Sequence, residues 1–227
     1  MSPPVCRTGW LRCIDYQEAW ALQHELVARR GSGLIDDTLL LLEHPPVYTT
    51  GRRNAGQHLR VGREALGAPL LAVDRGGDIT FHGPGQLVAY PIIDLRAAGL
   101  GVVDYVRSLE EVVIRTLGDY GIEGRREPPL TGVWADGEKI AAIGVRVSRP
   151  ERRAGGRWVT SHGLALNVSV DLDWFQRIVP CGIADRGVTS MERLLGRAVP
   201  LEEAADRLAE QFGAVFGRCV LREAITV

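Results

Sequence analysis

Two residues in this sequence carry the chemistry of a nucleophile and its base. Cys181 stands in Ile178-Val179-Pro180-Cys181-Gly182-Ile183. Proline restricts the approach of the chain and glycine removes the neighbouring side chain, which lets the thiol stand clear of its surroundings. An accessible thiol beside a cation is nucleophilic near neutral pH, whereas a buried one is a small inert hydrophobe. The local sequence leaves both readings open for Cys181. Nothing around Cys6, Cys13 and Cys219 resembles a site, and these are read as inert. Lys139 is singled out by composition: of 27 lysines and arginines it is the only lysine. Arginine replaces lysine freely as a surface charge, but not where a proton must be lost near neutral pH, because its pKa lies above about 12. A lone lysine is therefore a candidate for acid–base work, against the alternative that chance spared it. With Cys181 it can form a nucleophile–base pair.

Two further stretches have the residue types of a binding site. The twelve residues Arg75-Gly76-Gly77-Asp78-Ile79-Thr80-Phe81-His82-Gly83-Pro84-Gly85-Gln86 contain five glycines or prolines. Such density lets a backbone approach a ligand, and its N–H groups can hold a carbonyl or an anion. The alternative is a tight surface connection, and the spacing matches neither common phosphate-binding loop. His162, in Ser161-His162-Gly163-Leu164-Ala165-Leu166-Asn167, can orient a nucleophile, hold a substrate group or serve structure alone. No pair among the five histidines has metal-ligand spacing with a cysteine or acid, so no metal is expected.

The elements that must position these residues follow from periodicity. Lys139 comes just after Asp136-Gly137, a strong hairpin signal between Val133–Ala135 and Lys139–Val147, so it should project from a strand. Helices are expected over Tyr16–Arg30, Val102–Tyr120 and Leu201–Phe216, with a short helical stretch at Trp174–Arg177. Strands are expected over Thr38–Leu42, Val47–Thr50, Leu70–Val73, Leu87–Ile93 and Leu164–Val170, with an edge strand at Arg218–Leu221. Hairpins mixed with helices imply an α/β or α+β domain on a mixed sheet, not a Rossmann alternation. The 227 residues, 45% hydrophobic and 24% charged, suit one globular domain spanning residues 1–227. The net charge of −1 speaks against a nucleic-acid partner. No apolar run reaches membrane-spanning length, and no signal-peptide core opens the chain, so a cytoplasmic protein is expected.

Taken together, several segments resemble the octanoyltransferases of lipoate biosynthesis. These are Glu43-His44-Pro45-Pro46-Val47-Tyr48-Thr49, the Arg75–Gln86 stretch, Gly132-Val133-Trp134 with Lys139-Ile140-Ala141-Ala142-Ile143-Gly144, His162–Asn167, and Pro180-Cys181-Gly182. The family often has tyrosine where this chain has Phe81. The resemblance implies a fold like the catalytic domain of biotin and lipoate protein ligases, a mixed β-sheet with surrounding helices. It implies that Cys181 carries the acyl thioester and that Lys139 lowers its pKa. It places the acyl substrate against Arg75, Gly76, Gly77, Asp78, Ile79, Thr80, Phe81 and His82, against Ala142, Ile143 and Gly144, and against Gly163, Leu164 and Ala165, with His44 and His162 in support. The donor would be octanoyl-acyl carrier protein. The acceptors would be lipoyl domains of 2-oxoacid dehydrogenase complexes and the glycine cleavage H protein, with no cofactor, nucleic acid or membrane involved. The competing readings are an ATP-dependent lipoate or biotin ligase of the same fold, a thiol hydrolase using Cys181 with His82 or His162, and a non-catalytic binder of carrier or lipoyl domains.

Overall fold

Four leucines in a row, Leu39 to Leu42, show how the molecule is layered. A strand turns successive side chains to opposite faces, and here both faces are covered. Leu39 and Leu41 enter one core, and Leu40 and Leu42 enter another. The computed structural model describes residues 3–52, 58–148, 156–179 and 186–225. Within these, β1 (Val5–Cys13), β2 (Asp37–Glu43), β6 (Gln86–Ile92), β7 (Val133–Ala135), β8 (Glu138–Ser148), β9 (Val159–Asn167) and β10 (Cys219–Arg222) form a sheet in the order β10-β1-β2-β6-β9-β8-β7. The β10–β1 and β1–β2 pairs are parallel and the rest antiparallel, so the sheet is mixed, as expected. A smaller sheet, order β4-β3-β5, joins β3 (Val47–Thr50), β4 (Leu70–Ala72) and β5 (Ile79–His82).

The helices α2 (Val102–Gly118) and α4 (Leu201–Phe216) lie on one face of the large sheet. Leu109, Val113 and Leu117 of α2 and Leu208 and Phe212 of α4 share a core with Leu41, Leu87 and Leu166. Helix α1 (Tyr16–Gly31) covers the other face, where Ala19, Leu22 and Leu26 meet Leu40, Val88 and Ile92. Its first turn is capped by Asp15, whose carboxylate accepts the Gln17 N–H at 2.7 Å. A short helix, α3 (Met191–Leu195), is capped by Ser190. No helix among the described residues is long and apolar enough to cross a membrane.

Two strands lie where none is expected, and a third has other bounds. The amino-terminal strand β1 went unread because Cys6-Arg7-Thr8-Gly9 lacks a clean alternation; its neighbours β2 and β10 supply the pairing. Strand β5 lies inside the glycine-rich stretch, where pairing with β3 outweighs the local turn signals. Strand β9 runs from Val159 to Asn167, not from Leu164 to Val170, because β8 pairs with it back to Val159. The Asp136-Gly137 turn stands as expected, with φ of +49° and +80° at its two residues.

A break in the middle of the large sheet shapes the site. Pro91 offers no N–H to the ladder, and the regular β6–β9 register runs only from Gln86↔Asn167 to Ala89↔Leu164. Beyond it, His162 takes a left-handed φ of +55°, and Thr160 Oγ1 donates to the Pro91 carbonyl at 2.7 Å. A β-carbon at Gly163 would run into the Ala89 carbonyl. Gly163→Ala is therefore expected to lower stability by about 1–3 kcal/mol, as overpacking of a rigid interior does. Urea unfolding checks this, and an unchanged midpoint would refute the close approach.

Candidate active site

The glycine-rich stretch, the middle of β8 and the start of the β9 ladder meet around one cavity. Its lining includes Arg75, Gly77, Asp78, Thr80 and His82, then Ala142, Ile143 and Gly144, then His162, Gly163, Leu164 and Ala165. These segments are far apart in sequence, and the sheet order brings them together. Ile79 and Phe81 alternate to the other side of β5, into a satellite core. There the Phe81 ring stacks on Trp174 at 4.9 Å between centroids. Gly76 faces a second groove, and its N–H donates to the Val145 carbonyl at 2.9 Å. That N–H is therefore not offered to a ligand. Two lining residues, Tyr16 and Tyr90, escaped the sequence reading. Nothing local separates a buried tyrosine that faces a cavity from one that faces a core.

The histidines and tyrosines around the cavity are held uncharged by burial, and Arg75 and Asp78 share the lining with them. His44 is fully buried behind the cavity; its Nδ1–H donates to the Ile14 carbonyl, so its Nε2 accepts from the Tyr90 hydroxyl, each at 2.8 Å. Burial pushes its pKa down to about 4. His82 is driven well below its ordinary value by burial and by the neighbouring His44 and Arg75. Its Nδ1 lies 2.8 Å from Gln86 Oε1 and must donate there. Burial, with Arg75 nearby, lowers His162 to about 3, and its Nε2–H donates to Asp74 Oδ1 at 2.7 Å. Asp74 also pairs with Arg146. The buried Arg75 guanidinium donates from Nη2 to the Thr49 carbonyl and hydroxyl, each at 2.8 Å.

Lys139 sits where two grooves converge. An open groove, lined by Gly76, Val106, Pro129, Leu130, Thr131 and Val145 among others, reaches Lys139 and shares Gly77, Asp78, Ile143 and Gly144 with the cavity. A small inner space joins Lys139 to Thr80, Ala142 and Asn167. The side chain is largely withdrawn from solvent, and its Nζ lies 5.0 Å from the Trp134 ring centroid. Gly132 leaves room for it: a β-carbon there would stand 2.7 Å from Lys139 Cε. The Gly132 N–H is held by the fully buried Glu110 at 3.1 Å. Lys139 N–H donates to the Gly187 carbonyl, and its own carbonyl accepts from Thr189 N–H, both at 3.0 Å. Cys181, with Pro180 and Gly182, lies outside the described residues. Its carboxyl-side neighbours Gly187 to Thr189 are the segment bound to Lys139, and on the amino side Val179 N–H donates to the His58 carbonyl at 2.8 Å. Among the described residues no cluster of histidine, cysteine and acids could hold a metal.

This architecture is that of the lipoate and biotin protein ligases. The chain resembles a lipoate-protein ligase A bound with ATP, with a TM-score of 0.76 at 17% identity over 98% of this chain and 90% of that one. Protein Ta0514 of T. acidophilum, solved with bound lipoic acid, gives 0.74 at 17% identity, again over 98% and 90%. A biotin protein ligase from Aquifex aeolicus gives 0.53 at 15% identity, over 93% and 70%. At such identities the likeness concerns the fold. Sequence comparison goes further: residues 15–213 match the lipoyl protein ligase A/B catalytic domain. An octanoyltransferase of Rubrobacter xylanophilus is 56% identical over 207 residues, 89% of each chain. One from Chloroflexus aggregans is 53% identical over 208 residues, 89% of this chain and 91% of that one. The chain belongs to the lipoyl protein ligase A/B family, among its octanoyltransferases, and is an acyltransferase.

The neutral histidines make stability depend on pH. Below about 6.5 the unfolded chain protonates them, while the native fold keeps His44 neutral down to about 4 and His162 to about 3. The unfolded state then binds more protons, so stability falls as pH drops from about 6.5 toward 4. Each such group contributes a loss of about 1.4 kcal/mol per pH unit within its window. Unfolding free energies at pH 7 and pH 5 check this, and equal values would show that these rings are not held neutral.

Proposed function

We propose that this enzyme transfers an octanoyl group from octanoyl-acyl carrier protein to a lysine of lipoyl domains, through a thioester on Cys181 and without ATP. Its acceptors are the lipoyl domains of 2-oxoacid dehydrogenase complexes and the glycine cleavage H protein, in the cytoplasm. The observation that carries this reading is the position of the only lysine. Lys139 lines an open groove that shares Gly77, Asp78, Ile143 and Gly144 with the cavity, and an inner space that reaches the cavity residues Thr80 and Ala142, with its backbone bound to the segment that follows Cys181. The octanoyltransferases of Rubrobacter xylanophilus and Chloroflexus aggregans, 56% and 53% identical, support octanoyl as the group transferred.

In this reading the cavity holds the acyl chain between Ala142–Gly144, Gly163–Ala165 and the Arg75–His82 stretch. Lys139 takes the proton of Cys181, and the thiolate attacks the donor carbonyl. The tetrahedral adduct collapses, the C–S bond to the carrier breaks, and the carrier thiolate takes the proton back from Lys139. A thioester has replaced a thioester, so no nucleotide is consumed. The acceptor amine, reaching the acyl-enzyme through the open groove, then attacks the carbonyl. It loses a proton to Lys139 as the C–S bond to Cys181 breaks. The amide is formed, and the thiolate–ammonium pair is left as before.

Two experiments test this mechanism. Intact mass after incubation with octanoyl-acyl carrier protein, with no nucleotide present, should show one octanoyl group. Cys181→Ser should abolish it, and serine at Cys6, Cys13 and Cys219 should not. Labelling that survives in Cys181→Ser, or transfer that requires ATP, rejects the scheme. Lys139→Arg should be almost as inactive as Lys139→Ala, because a guanidinium stays protonated and a positioned base is worth roughly 10² to 10⁴ in rate. Recovery by Lys139→Arg to within a few-fold of the parent rate would reduce Lys139 to a counter-ion.

A further inference from the structure

A directed chain of hydrogen bonds runs from the acyl cavity to the segment that holds Lys139. Arg75 donates to Thr49 Oγ1, and the Thr49 hydroxyl, 3.3 Å from His82 Nε2, donates there. His82 Nδ1–H donates to Gln86 Oε1 at 2.8 Å, and Gln86 Nε2 donates to Asn167 Oδ1 at 2.9 Å. Asn167 Nδ2 then donates to the Thr189 carbonyl at 3.0 Å, and Thr189 N–H donates to the Lys139 carbonyl at 3.0 Å. The direction is not arbitrary. Only the amide nitrogen of Asn167 can face a carbonyl, and Gln86 Nε2 also donates to the Phe81 carbonyl at 3.2 Å, which orients that side chain the same way. Thr49, Gln86, Asn167 and Thr189 are all buried, so water does not compete for these bonds.

We propose that Asn167 is a positioning residue for acyl transfer. By donating to the Thr189 carbonyl it holds the 187–189 segment, and through that segment's two backbone bonds it sets Lys139 in the inner space beside the cavity residues Thr80 and Ala142. The inner space that Asn167 shares with Lys139, Thr80 and Ala142 places this tie beside the amine and not in a distant core. Asn167 acts through Lys139 and touches no reacting atom. The inference rests on the reading of Lys139 as the acid–base group.

The test is Asn167→Asp, which keeps shape and the acceptor toward Gln86 but turns an acceptor toward the Thr189 carbonyl. A buried carbonyl that loses its donor should lower kcat for octanoyl transfer by about 10- to 100-fold. The KM for the octanoyl carrier should stay within about twofold, since the Arg75–His82 side of the cavity keeps its bonds. Hydrogen exchange of the Lys139 and Thr189 amides should speed up in the variant, a readout independent of chemistry. Asn167→Leu removes the same donor with an apolar side chain of similar size and leaves the His82–Gln86 bond in place; it should show the same kcat-selective loss, and it decides the matter alone if Asn167→Asp does not fold. A parent enzyme that transfers while both variants keep kcat within about twofold overturns the positioning role, as does a loss confined to KM. A parent that does not transfer overturns the functional reading instead, and the amide exchange then still tells whether Asn167 holds the segment.

Discussion

The site depends on how the backbone of Lys139 is bonded. In an antiparallel ladder a residue's N–H and carbonyl point together to one side. At Lys139 the β7 strand lies on one flank, with Trp134 directly opposite. The amide groups of Lys139 turn to the other flank, where Gly187 and Thr189 take them. From Ala141 onward that same flank of β8 is occupied by β9. The 187–189 segment thus continues the sheet past the end of β9. The 187–189 segment, which follows Cys181 in the chain, is thus bound directly to the strand that carries the amine.

Around that strand the protein manages charge by withdrawing it from water. Burial keeps His44, His82 and His162 uncharged, and it raises the phenols of Tyr16 and Tyr90 so that they remain protonated. The cavity is walled by neutral rings, glycines and apolar side chains together with Arg75 and Asp78, both already withdrawn from water. The charges kept nearby are anchored: Arg75 by the Thr49 backbone and hydroxyl, and Glu110 by Arg107, Arg126 and the Gly132 N–H. Glu110 also fixes the loop in front of Lys139, so a buried acid on α2 helps decide where the amine stands.

The departure at Phe81 has a simple consequence. The family's frequent tyrosine would place a hydroxyl at this position, but here the ring lies in the satellite core, stacked on Trp174 and edge-on to Phe175. It supports β5 from behind and leaves the cavity lining to Thr80 and His82. Alternation along β5 separates these roles, with Ile79 and Phe81 on one face and Thr80 and His82 on the other.

Much of this was readable in the chain. The three long helices follow from their apolar stripes and stops, and the Asp136-Gly137 hairpin follows from turn chemistry that few other residues satisfy. Lys139 stood out because a chain rich in arginine has one lysine, and the short motifs, taken together, resemble a family that comparison then established. These signals are local, or they are matters of composition, and both survive without coordinates. What the sequence could not decide is which buried groups face one another. Tyr16, Tyr90 and Asp74 carry no local mark of a site, and β5 and β1 exist because distant strands pair with them. The inner space that joins Lys139 to Thr80 and Ala142, and the tie from Gln86 through Asn167 to Thr189, arise from a strand order that sets β6 beside β9 and brings Gln86 and Asn167, 81 positions apart in sequence, within hydrogen-bonding distance. Such contacts depend on sheet register, which long-range packing sets and no window of sequence contains.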